Sequence, residues 1–222
     1  MPLRVSALRS LGAYANVFAI ESFMDELAGH VGADPVDFRL RHLSDPRAKA
    51  VIVAAAERAG WEPGQPGDGD VGRGIGFARY KNSAAYVAVV AEVQVDRQTG
   101  EIRVLKATAA ADAGQIINPN GLANQIEGGI VQSTSWTLKE EVRIADGRIA
   151  SKDWWSYPIL TFAEVPEIDV VLVSRPAEPP LGAGEAAMGP AAAAIANAFA
   201  HATGKRIRDL PLSTDRVKAV LE

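Results

Sequence analysis

The 222-residue sequence contains no cysteine. That excludes disulfides, thiolate nucleophiles, zinc–thiolate sites and iron–sulfur clusters carried by this chain. Histidine is scarce: His30, His42 and His201 are far apart, with no metal-site spacing, and each reads as a surface or helix-end residue. No run of about 18 apolar residues occurs, so no membrane span is expected. The first ten residues, MPLRVSALRS, lack the apolar stretch of a signal peptide. Basic excess is lacking too, because the formal net charge is −4 and the pI about 5.5. An acidic chain with scattered Lys and Arg argues against nucleic-acid binding. Its one basic run, Lys205-Arg206-Ile207-Arg208, reads as a solvated turn.

What is present is an ordinary globular composition, 48% hydrophobic and 23% charged. Apolar residues recur at helical spacing from Asn16 to Val31, and Gly32 marks the stop. Asp34-Pro35 reads as N-cap and first position of a helix reaching Leu43. A third helix runs from Ala48 to Ala59 and ends at Gly60. Glu62–Gly76 is rich in Gly, Pro and Asp and reads as a flexible connection. The glycines Gly72, Gly74 and Gly76 suggest a nucleotide-binding loop only if a helix follows, and a strand-like run follows instead. Tyr86–Val95 and Ile102–Thr108 read as a hairpin across Asp96–Gly100. Pro119–Glu141 is a long helical pattern. Val142–Ile144 and Arg148–Ala150 form a second hairpin about Asp146-Gly147. Ile168–Ser174 is a strand, Ala187–Ala202 a nearly all-small helix ended by Gly204, and Asp215–Leu221 a closing helix. Hairpins mixed with helices predict an α+β fold with mixed sheet hairpins packed against helices. The organisation expected is a helical segment over 1–61 and an α+β domain over 72–222.

Two stretches carry candidate chemistry. Gly182-Ala183-Gly184-Glu185 follows a rigid proline-rich arm and places one carboxylate just before the small-residue helix. A partly desolvated carboxylate there would have a raised pKa and could act as a general base. Alternatively, Glu185 only complements the helix dipole. In Gln125-Ile126-Glu127-Gly128-Gly129, the two glycines cost the helix about 2 kcal/mol of propensity. They would allow close approach of a ligand or of another backbone, and Gln125 could both donate to and accept from a heterocycle. Plain helix–helix packing explains them as well. Trp154-Trp155-Ser156-Tyr157-Pro158 could line a pocket or pack as a loop on the core.

Taken in order, several segments resemble the molybdopterin-binding subunit of the xanthine dehydrogenase/aldehyde oxidase family, closest to its isoquinoline and nicotinate dehydrogenase branch. They are Leu8–Gly12, Phe18–Ala28, Asp34–Arg41, Ala78–Asn82, Asp112–Gly114 with Asn118-Pro119, Gln125–Gly129 and Gly182–Glu185. The resemblance implies the fold of that family's C-terminal molybdopterin-binding region. It also implies a molybdenum–molybdopterin cofactor, with the cytosine dinucleotide form as one option, whose metal takes no protein side chain as ligand.

Glu185 matches the glutamate that accepts the proton of the metal-bound hydroxyl before oxygen attacks an electron-poor carbon and hydride leaves to a sulfido ligand. Gln125 matches a pterin contact, Gly184 a backbone contact to the cofactor, and Arg9 an arginine near pterin and substrate. Leu11 stands in the substrate pocket where xanthine-type members often carry an aromatic residue, which speaks against stacking of a purine. The family's Gly-Gln-Gly segment and Ser/Thr-rich pterin loop are missing. The resemblance therefore implies that a larger molybdopterin-binding chain completes the cradle, or that the sequence is a truncated piece.

The function implied is oxidation of an N-heterocycle or aldehyde with water as oxygen source. Electrons would leave through a separate Fe–S or cytochrome subunit, since this chain has no cysteine for a cluster. The alternative is a non-catalytic assembly module or remnant that binds no cofactor alone. Either a cytoplasmic location or a periplasmic, membrane-associated one through partners is compatible, the cytoplasm being favoured.

Overall fold

The computed structural model describes residues 6–222. Met1–Val5, part of the stretch read above for a signal peptide, lie outside the described residues. Three helices come first: α1 (Ala13–His30), α2 (Pro35–His42) and α3 (Pro46–Ala59). Their boundaries follow local chemistry. Asp34 accepts from the backbone N–H of Val36 and Asp37, with Pro35 at the first helical position. Asp45 and Pro46 repeat the arrangement for α3, so that helix starts two residues before the alanine run that suggested it. Gly60 ends α3 in the left-handed conformation.

Strands β1 (Val71–Arg79), β2 (Tyr86–Val95) and β3 (Ile102–Asp112) form an antiparallel meander. Helix α4 (Pro119–Leu138) and a small exposed hairpin, β4 (Ile144–Ala145) with β5 (Arg148–Ile149), follow. Strand β6 (Glu167–Leu172) then returns parallel to β3, giving a mixed sheet in the order β1-β2-β3-β6. Helices α5 (Met188–Thr203) and α6 (Thr214–Leu221) end the chain. The expected α+β fold with a mixed sheet is what is observed.

The sheet has a core on each face, which explains the unbroken apolar run of β2. Val87, Val89, Ala91 and Val93 pack toward α5, whereas Tyr86, Ala88 and Val90 pack toward α2 and α3. Helix α5 is buried along nearly its whole length between the sheet, α1 and α4.

The connection ends at Asp70, not Gly76, because Gly72, Gly74 and Gly76 lie inside β1. A Cβ on any of them would overlap the backbone of α5 at Ala198, Ala194 or Pro190. These glycines let a strand and an alanine helix approach closely, and no helix follows them to cradle a phosphate. A loop-like composition here reflects packing.

Buried polar groups pin the helices to the sheet. Arg39 is almost fully enclosed. It donates from Nε to Glu21 Oε2 at 2.8 Å and from its Nη atoms to the carbonyls of Pro35, Glu21 and Ile75. Glu21 Oε2 also accepts from Phe77 N–H. In the basic run after α5, Lys205 and Arg208 are solvated as expected, Arg208 reaching Glu26, whereas Arg206 is largely buried and donates to Asp25 and Asn197. Acidic partners on α1 draw Arg206 inward, and such pairing is invisible in a local charge pattern. Helix α4 stops at Leu138, three residues before its helical pattern ends. Glu140 and Glu141 there pair instead with Ser135, Tyr157 and Arg216.

Candidate functional site

Three distant segments meet at one place: residues 9–11 before α1, the first turns of α4, and the loop 182–185 before α5. Arg9 is the clasp. Its Nε donates to Gly184 O at 2.7 Å, and one Nη donates to Gln125 O at 2.9 Å and to Gln125 Oε1 at 3.2 Å. The other Nη reaches Gln132 Oε1 at 3.3 Å. Gly128 and Gly129 face this guanidinium, and a Cβ on either would meet one of its nitrogens at 3.7 Å, an ordinary van der Waals contact. A Cβ on Gly129 would also press on Ala187 at 3.2 Å. The tight contact is thus the packing of Gly129 against the residue preceding α5. Burial lowers the Arg9 pKa, opposed by the nearby Glu185 carboxylate. An arginine keeps its charge at neutral pH regardless.

Glu185 is half-buried and takes two hydrogen bonds, one on each oxygen. Ser10 N–H donates to Oε1 at 2.9 Å, and the Tyr80 hydroxyl donates to Oε2 at 2.7 Å. Ser10 and Leu11 both adopt positive φ, 75° and 50°, and this reversal aims the Ser10 N–H at the carboxylate. Left-handed backbone at two non-glycine residues costs roughly 1–2 kcal/mol each and persists only where surroundings enforce it.

The expectation of a raised Glu185 pKa is not met. The hydrogen bond from Tyr80, then that from Ser10, holds the carboxyl below its usual range, with Lys81 and Arg9 adding to the effect and desolvation opposing it. Donors aimed at the charged form outweigh partial burial. Glu185 makes no capping hydrogen bond, since α5 begins at Met188, three residues on, and no side chain caps it.

The predicted residues Arg9, Gln125, Gly184 and Glu185 are thus brought together, with Leu11 beside them, half exposed. Tyr80 and Ser10 were not singled out from sequence. Tyr80 stood within the quoted run Ala78–Asn82, but nothing local reveals that it reaches a residue 105 positions away. The tryptophans behave differently from both readings of them. Trp154 is 74% and Trp155 95% exposed, so they neither line a pocket in this chain nor pack on its core. Phe162 is fully exposed as well.

The arrangement suits a group that brings its own metal ligands. Among the described residues no cluster of three or more His, Cys, Asp or Glu could hold a metal ion. The Gln125 amide NH2 has no partner among the described residues, while its Oε1 lies beside the side-chain-free Gly184, 3.5 Å from where a Cβ there would stand. An amide donor, a bare backbone stretch and an anionic carboxylate on one rim fit an acceptor-rich heterocycle with a reacting centre near Glu185.

Comparison with known proteins shows the family. The molybdopterin cofactor-binding domain family matches residues 47–166, more than half of the chain. The chain belongs to this family, as its motifs implied. It is 50% identical to a nicotinate dehydrogenase subunit of Pseudomonas putida over 99% of its own length and 20% of that protein. It is 37% identical to the beta subunit of isoquinoline 1-oxidoreductase of Brevundimonas diminuta, covering 94% of this chain and 26% of that one. The chain thus spans only about a fifth to a quarter of these relatives. Aldehyde oxidoreductase from Desulfovibrio gigas superposes over 97% of this chain and 42% of its own with a TM-score of 0.81, which at 19% identity speaks for the fold. Quinoline 2-oxidoreductase from Pseudomonas putida 86 shares 32% identity over 62% of this chain and 18% of its own, with a TM-score of 0.58.

Proposed function

We propose that the chain is the carboxylate-bearing part of a molybdenum hydroxylase that oxidises an N-heterocycle or an aldehyde with water as the oxygen source. The observation that carries this reading is the Glu185 carboxylate, kept anionic by Tyr80 and Ser10 on the rim formed by Arg9, Gln125 and Gly184. In this reading a molybdenum–molybdopterin group, with the cytosine dinucleotide form as the candidate to look for, supplies the two-electron redox centre when bound. Glu185 receives a proton at one of the lone pairs its two hydrogen bonds leave free. Gln125 and the backbone of Gly184 bind the pterin edge, and Arg9 fixes both in register. Leu11 borders the substrate.

A larger molybdopterin-binding chain completes the cradle in this proposal, and an Fe–S or cytochrome subunit carries electrons away. Support for a larger assembly comes from the relatives, which are named as subunits and are several times longer than this chain. No helix among the described residues is long and apolar enough to cross a membrane. The proposed location is the cytoplasm, with periplasmic, membrane-associated assembly through partners as the alternative.

The test is Glu185→Gln in the assembled enzyme. Removing a proton acceptor should lower turnover about 100- to 10,000-fold while molybdenum content stays at the wild-type level. Wild-type turnover in that variant overturns the reading. A co-purified complex empty of molybdenum and pterin would favour a non-catalytic assembly module instead.

A further inference from the structure

Tyr80 has no part in the site as read from sequence, yet its hydroxyl makes the shortest contact to the carboxylate. We propose that Tyr80 is a positioning residue for Glu185, holding its carboxylate in the charge state and orientation needed to accept a proton. This rests on the reading of Glu185 as proton acceptor.

Four features of the fold support it. Tyr80 is buried at the end of β1, where the chain turns through Tyr80–Asn82. That turn is tied to the carboxylate's own loop: Tyr80 N–H donates to Ala85 O at 3.0 Å, and Ala85 N–H donates to Gly182 O at 3.1 Å. Two backbone hydrogen bonds therefore link the tyrosine to the loop that carries the carboxylate. Lys81 and Asn82 take positive φ of 52° and 55°, and this reversal sets the Lys81 ammonium 5.2 Å from the Tyr80 ring centre. Burial and the Glu185 contact together push the phenol up to about 12, so it remains a donor at any working pH.

A donor aimed at a carboxylate favours the anion, because protonation weakens the hydrogen bond. The groups facing Glu185 are Tyr80 and Lys81 from the turn after β1 and Arg9 from the segment before α1; α4 presents only the neutral amides of Gln125 and Gln132 to Arg9. The Ser10 donor is backbone and survives any side-chain change. Tyr80 is consequently the contact a substitution can remove.

The experiment compares wild type, Glu185→Gln and Tyr80→Phe in the assembled enzyme. In Tyr80→Phe the acid limb of the kcat/KM profile should move up by about one pH unit, the worth of one hydrogen bond to a charged group. KM should change less than twofold and molybdenum content should hold. An independent readout uses the metal-free complex: the Glu185 carboxyl stretch, isolated by infrared difference against Glu185→Gln, should titrate at a pH higher by the same amount. An ortho-fluorinated tyrosine at position 80, a stronger donor of nearly equal size, should move both titrations the opposite way. This fourth protein also covers the case in which Tyr80→Phe fails to fold. Unmoved titrations alongside an inactive Glu185→Gln overturn the role of Tyr80 and leave the reading of Glu185 standing; an active Glu185→Gln overturns that reading itself.

Discussion

Arg9 Nε donates to the carbonyl of Gly184 at 2.7 Å across 175 residues of sequence. The same guanidinium reaches Gln125 and Gln132 on α4, so one side chain closes three segments into a rim. Arg9→Lys keeps the charge but cannot reproduce a planar fork serving four acceptors. Loss of two or three such bonds should destabilise by about 2 kcal/mol, read in chemical denaturation. It should also lower molybdenum occupancy of the assembled enzyme. Full occupancy and unchanged stability would show that the clasp is dispensable.

Gly74 tests the strand–helix contact. In Gly74→Ala the new Cβ meets backbone atoms of Ala194, Asn197 and Ala198 on α5. Backbone cannot yield as a flexible side chain does, so the loss should reach about 3 kcal/mol or prevent soluble expression. Gly182→Ala is the matched control, because nothing lies within 4 Å of a Cβ there. Its denaturation midpoint should stay near wild type.

Arg39→Met removes a buried cation and leaves the Glu21 carboxylate with a single donor among the described residues, Phe77 N–H. An uncompensated buried charge should cost about 3–5 kcal/mol. Glu21→Gln in the same background should recover part of that loss, since it discharges the orphaned group. A double-mutant cycle in urea measures the coupling.

Asp112 predicts how stability depends on pH. Its carboxylate is fully buried, and desolvation alone would raise its pKa. Hydrogen bonds from Arg47 and from Gly114 N–H more than offset this and hold it below the usual range. A depressed folded-state pKa contributes stability that is present above the unfolded value and lost as pH falls through the folded value. Unfolding free energy should therefore drop below about pH 4, the ordinary range of an aspartate. Asp112→Asn should be less stable at neutral pH and show a flatter slope in that window. An unchanged slope would count against the Arg47 and Arg175 pairing as its source.

Much of this protein is legible locally. Asp34-Pro35, Gly60 and Gly204 mark helix ends because capping is a matter of adjacent residues. The apolar run Tyr86–Val95 announces a buried strand for the same reason. The ordered motifs also pointed to the family and, through it, to Arg9, Gln125, Gly184 and Glu185 as one candidate site, which the fold brings together. Tertiary structure alone decided what those residues do to one another. Glu185 sits before a helix in a partly buried loop, which by itself suggests a raised pKa. The opposite sign comes from Tyr80, 105 residues earlier, and from a backbone N–H turned inward at Ser10. Gly72–Gly76 look like a loop until α5 lies against them, and Arg206 looks solvated until α1 supplies its acids. Sequence spacing records what a residue's neighbours along the chain allow. Charge state and close packing depend on neighbours across space, which only the folded chain brings together.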